Sequence, residues 1–147
     1  MSLTYQIKNI NMKKILLIAG IFSFSFFWAQ KSENYLQIRY GSICCGTPST
    51  EPVMNYVNQF QKKNKIKNLE IYKQGGLGRE GEFHLYIGTD NFSKKQALAF
   101  TKGLQSAIEI QNNARKKNHD GTVGFEETEM VKKADLANAR NLTIYKK

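Results

Sequence analysis

Two thiols stand side by side in Ser42-Ile43-Cys44-Cys45-Gly46-Thr47, and the chain has no other cysteine. Neighbouring Cα atoms across a trans peptide are about 3.8 Å apart, whereas a disulfide usually spans about 4.4–6.8 Å. A bond between Cys44 and Cys45 would therefore close a tight ring, strain the peptide and reduce more easily than an ordinary structural disulfide. Four kinds of chemistry are open to such a pair. It could be a strained disulfide that stiffens its loop, or a redox switch. The thiols could instead stay unpaired or bond between chains. Finally, both thiolates could hold a soft metal such as Cu(I), with Met54 or His84 as a further ligand. Ser42 and Thr47 add hydroxyls on either side, so the candidate ligand or redox residues are Ser42, Cys44, Cys45, Thr47 and His84. A helix start is expected just beyond, and thiols near a helix N-terminus can become more acidic and more reactive.

The other patterns are weaker. Gly76-Leu77-Gly78-Arg79-Glu80-Gly81 has the spacing G-x-G-x-x-G, but a dinucleotide site needs a helix immediately after those glycines. Phe83 to Ile87 alternates like a strand instead, so the glycines are expected to form a hairpin loop. His84 and His119 show no metal-ligand spacing. No serine sits in a nucleophile elbow and no carboxylates pair at a recognisable distance along the chain, so no catalytic residue is assigned.

The elements that would position the cysteines follow from periodicity. Leu36, Ile38 and Tyr40 alternate with Gln37 and Arg39 over 35–43, the pattern of a strand with one buried face. Ser49 or Thr50, followed by Pro52, marks a helix start, and Val53, Tyr56, Val57 and Phe60 form its apolar stripe. Leu69 to Tyr72 reads as a second strand, paired through the glycine loop with 83–87. Ser93 with Gln96 is a capping box, and Phe92 with Ala97 a hydrophobic staple. They open a helix expected to run to about Arg115. A weak third helix is expected within 126–138, then a short strand at 142–145. The order predicts an α+β fold of the ferredoxin-like β-α-β-β-α-β type. It would have four antiparallel strands, helices on one face and an insertion before the last strand, which leaves His84 on the open face.

The start of the chain bears on compartment. Lys13 and Lys14 precede a fourteen-residue apolar run, Ile15 to Trp28, and then Ala29. This is the layout of a secretory signal peptide, and the run is short for a membrane span, which needs about 20 residues. Met12 is a better start than Met1. Residues 1–29 are thus read as an upstream extension plus signal, and 30–147 as a single exported domain, periplasmic or extracellular, with no stable membrane span once the signal is cleaved. Without Lys8, Lys13 and Lys14 the remainder carries 19 basic and 12 acidic residues, a net charge of +7. That charge suits an anionic envelope component or a protein partner. Nucleic acid is not expected, because no binding pattern is present and an exported protein does not meet it regularly. The expectation is a non-catalytic binding or envelope-associated domain. The alternative is a thiol-based soft-metal or redox protein.

Overall fold

The computed structural model describes residues 31–146; the expected extension and signal segment, 1–29, lie outside the described residues. The sheet is built on β1 (Asn34–Gly41), which pairs antiparallel with β3 (Phe83–Gly88) on one side and β4 (Thr122–Lys132) on the other. β2 (Ile71–Gln74) lies beside β3, and β5 (Leu142–Ile144) beside β2, giving the order β4-β1-β3-β2-β5. The fold is α+β, as its sequence pattern implies, but the sheet has five strands where four are expected.

The discrepancy comes from residues 122–138. The apolar side of the expected third helix was only Met130, Ala134 and Ala137. Against it stands the free edge of β1, which supplies a ladder of backbone hydrogen bonds to the alternating Val123 and Phe125. The segment is therefore mostly strand, and its helical part shrinks to α3 (Lys133–Ala137). Opposite Gln37 the register jumps: Leu36 faces Met130 but Ile38 faces Phe125. Glu126 and Glu129 in the resulting bulge both reach Arg39, at 2.9 and 2.8 Å. The C-terminal strand, displaced from the place beside β1, joins the far edge at β2 instead.

Both long helices form where the periodicity indicates. Helix α1 (Glu51–Lys63) begins after Thr50, with Pro52 in its first turn, and Ser49 Oγ accepts from the Glu51 amide at 3.1 Å. Helix α2 (Lys94–Ala114) has the full capping box: Ser93 and Gln96 each accept from the other's backbone N–H. The two helices cover one sheet face. Val53, Met54, Val57, Phe100, Leu104 and Ile108 bury themselves against Leu36, Ile38, Tyr40, Phe83, Leu85, Ile87 and Val123. Gly103 is what lets the helices approach, since a Cβ there would lie 2.3 Å from the Tyr56 hydroxyl oxygen. Phe100 is fully buried, with ring centroids of Phe60 and Phe92 both 5.0 Å away.

The opposite face is not left bare, which departs from the expectation of helices on one side only. Leu136 of α3 packs on Tyr35 and Tyr86, with Tyr72, Val131 and Leu142 around them. Beside this small core, Glu70 accepts from Tyr35 Oη and Tyr72 Oη, each at 2.7 Å, and from the Ser32 amide at 3.2 Å. Burial alone would raise the Glu70 pKa, but these three donors outweigh it and hold the carboxylate below its usual range. The hydrogen bond to Glu70, together with desolvation, pushes Tyr72 up to about 12.

Two outcomes follow. Phe100→Ala should destabilise the chain by about 3–5 kcal/mol, the usual cost of emptying an aromatic core site, measured by denaturant unfolding. Glu70 stabilises the fold above the carboxylate's unfolded pKa, and that share is lost as pH falls through its lowered folded value. The Tyr72 share has the opposite sense: it is complete below about pH 10, the phenol's reference value, and lost as pH rises toward about 12. Glu70→Gln should therefore cost about 1.5–3 kcal/mol near neutral pH and make unfolding less sensitive to alkali between pH 10 and 12. An unchanged alkaline limb would contradict the tyrosine–carboxylate assignment.

Candidate functional site

The register of β1 gathers three loops at one end of the sheet. Tyr40 faces Phe83, so the glycine hairpin 75–82 ends beside the start of the cysteine loop. Gly41 faces Thr122, so the turn 115–121 arrives from the other side. Helix α1 begins there and α2 ends there, and Gln111 Nε2 ties them by donating to the Ser49 carbonyl at 2.8 Å. Asn112 holds α2 to β4: its amide donates to the Val123 carbonyl at 2.8 Å and accepts from the Val123 N–H at 3.0 Å.

Gly121 is the keystone of the approach. A Cβ on it would stand 2.2 Å from the Gly41 carbonyl oxygen and 2.8 Å from Pro48 Cδ. Gly46, at φ +100°, makes the turn in the cysteine loop that an L side chain rarely permits, and its N–H donates to Ser42 Oγ at 3.2 Å. Ser42 therefore braces the loop from within.

Between the loops lies a cleft of about 320 Å³. Cys45, Thr47 and Ser49 form one wall, Gln111 and Arg115 the end of α2, and His119 with Asp120 the far turn. Among the described residues, two buried polar side-chain atoms lack a hydrogen-bond partner, Gln111 Oε1 and Tyr40 Oη, and both belong to residues at this end of the fold. Asp120 accepts from the Lys116 amide at 2.7 Å and lies 3.0 Å from His119 Nδ1. These contacts keep its carboxylate below the ordinary range, with the Lys116 amide contributing most.

Both cysteines are free and exposed. Their environment differs from the expected acidic one. Helix α1 starts six positions after Cys45, and the Cys45 thiol is raised rather than lowered, first by its hydrogen bond to Cys44, then by desolvation, then by the charges of Cys44, Glu80 and Asp120. The thiol is thus protonated at neutral pH, the opposite of an activated nucleophile.

His84 and Met54 do not join the cysteines. Met54 is buried beneath α1 in the main core. His84 is on the other sheet face, where Nδ1 lies 3.1 Å from Gln37 Nε2 and 3.3 Å from Tyr86 Oη. The Gln37 amide donates, which leaves the ring proton on Nε2. Tyr86 Oη in turn donates to Gln74 at 2.6 Å. Desolvation and then the Arg39 charge hold the His84 pKa below its usual value, so the ring is neutral near pH 7. It is a histidine satisfied within its own sheet. The residues that do share the cleft with Cys45 and Thr47 are Gln111, Arg115, His119 and Asp120, none of them singled out by sequence spacing. They come from segments about seventy positions apart, and only the β1–β4 pairing brings them in.

Gly121→Ala should push the turn 115–121 off the cysteine loop. Hydrogen exchange should speed up at residues 44–49 and 115–121, while amides of β1 and β3 keep their protection. Unchanged loop protection would mean that the contact does not hold the cleft together. No protein-family model, no curated protein and no solved structure matches this chain, so the site is read from its own geometry alone.

Proposed function

We propose that the chain is a small exported, non-catalytic binding domain, possessing a ferredoxin-like β-α-β-β-α-β unit extended by α3 and β5. The strand order β4-β1-β3-β2, with α1 and α2 on one face, supports that fold reading. Export rests on the signal-like segment at 12–29, and among the described residues no helix is long and apolar enough to cross a membrane. The ligand sits in the cleft between the cysteine loop, the end of α2 and the turn 115–121.

The observation that carries this reading is the unpartnered Gln111 Oε1. A buried carbonyl oxygen without a donor costs free energy comparable to a lost hydrogen bond, and here it belongs to a residue of a cleft wall. A ligand N–H or O–H would satisfy it. Arg115, whose Nη1 already donates to the Lys117 carbonyl at 2.9 Å, keeps a positive charge at the same wall for an acidic group. The ligand is accordingly a small polar molecule, or the polar end of an envelope component, with a donor and an anionic group.

The test is titration of the isotope-labelled chain with small polar anions, followed by amide NMR. Shifts should concentrate at 45–49, 111–115 and 119–121. Gln111→Leu should weaken binding about five- to tenfold, the effect of one hydrogen bond, and affinity should fall as salt rises through the physiological range. Shifts confined to Gln37, Arg39 and His84 would place binding on the opposite sheet face and overturn the assignment.

A further inference from the structure

We infer that the outer face of α1 and α2, at the end of the fold away from the cleft, docks on a membrane surface carrying anionic lipid headgroups. Charge is divided unevenly between the layers. Residues 51–68 and 94–117, which hold both long helices, carry ten basic residues and two acidic ones, a net charge of +8. The rest of 30–147 carries nine basic and ten acidic residues, a net charge of −1. The whole positive excess of the domain therefore lies in one layer.

Packing gathers six of these cations from distant positions. Helix α1 ends beside the start of α2, where the ring centroids of Phe60 and Phe92 are 5.8 Å apart. Lys62, Lys63 and Lys65 thus share one end of the helix layer with Lys94, Lys95 and Lys102. All six are exposed, and among the described residues no ion pair includes any of them. The helix macrodipole accounts for Lys62 and Lys63, which stand in the last turn of α1. It does not account for Lys94 and Lys95, which open α2 in a first turn that has no acidic residue. The dipole disfavours cations there, and an external anionic surface offsets that cost.

The same face has apolar and aromatic parts. Leu98 is 66 % exposed, and Lys94, Lys95 and Lys102 surround it at helical spacings of three and four. Between the helices a groove of about 410 Å³ opens over Tyr56 and Phe60, with Lys63 on one wall and Ala99 and Gly103 on the other. Lysine stems lie along apolar surface while their ammonium groups reach outward. A bilayer interface accepts all three parts together: the apolar side chain, the aromatic edges and the cations.

The choice of lysine separates a lipid surface from a protein partner. Protein interfaces are enriched in Arg and depleted in Lys, because the guanidinium pairs with carboxylates bidentately. The six cations here are all lysines, point charges that suit a fluid array of headgroups. Each adds about fivefold to membrane affinity. This surface is independent of the cleft ligand and of Gln111.

The experiment is sedimentation of the chain, as recovered after export, with phosphatidylcholine vesicles prepared with and without phosphatidylglycerol. The chain should bind only the anionic vesicles. Lys63→Gln and Lys95→Gln should each weaken binding about fivefold, and Leu98→Gln about threefold. Their thermal unfolding midpoints should stay unchanged, since all three side chains are exposed. Arg140→Gln, outside the helix layer, should stay within twofold of wild type. Equal binding to neutral vesicles, or none to anionic ones, would overturn the docking surface. A loss in Arg140→Gln as large as in the lysine variants would overturn its placement on this face. Full binding by Leu98→Gln, or tighter binding to soluble polyglutamate than to vesicles, would overturn the lipid assignment and favour an acidic protein partner. None of these outcomes bears on the anion titration of the cleft.

Discussion

The pairing of β1 with a strand on each side is the constraint on which everything else depends. β1 alternates so that Leu36, Ile38 and Tyr40 face α1 and α2, while Tyr35 packs against Leu136 and Tyr86 on the other side. A strand buried on both faces has little freedom of register, because a slip of one residue would carry Gln37 and Arg39 into the main core. Once that register is set, Gly41 must face Thr122 and Tyr40 must face Phe83. The three loops at that end then have no choice but to meet.

The site is a by-product of this packing, and it separates two kinds of polar residue. On the sheet face away from α1 and α2, Gln37, His84, Tyr86 and Gln74 hydrogen-bond to one another, and Arg39 is held between Glu126 and Glu129. At the loop end the pattern reverses. Gln111 Oε1 is unpartnered, both thiols are free and exposed, and glycines rather than side chains set the backbone spacing.

Much of this was legible in the sequence, for identifiable reasons. The Ser93–Gln96 box, the stripe on α1, the glycine hairpin and the alternation of β1 are local signals. The cysteine loop was placed correctly at the end of β1. What local periodicity could not show was competition for an unpaired strand edge. Residues 126–138 hold helix-forming side chains, but the hydrogen bonds offered by β1 lie about ninety positions away in the chain. That one misassignment displaced the last strand and hid the approach of His119, Asp120 and Gly121 to the thiols. It also made His84 look available. His84 lies two residues from Tyr86, yet only the cross-strand neighbour Gln37 reveals that its ring nitrogen is occupied.

The pairing of β1 with β4 is therefore the point to measure, by cross-strand proton contacts in solution NMR. Contacts between Gly41 and Thr122, between Tyr40 and Val123, and between Leu36 and Met130 should be observed, with sequential helical contacts limited to 133–137. A continuous helical pattern through 126–138, with the β1 edge unpaired, would contradict the fold and remove the basis for the cleft beside the cysteines.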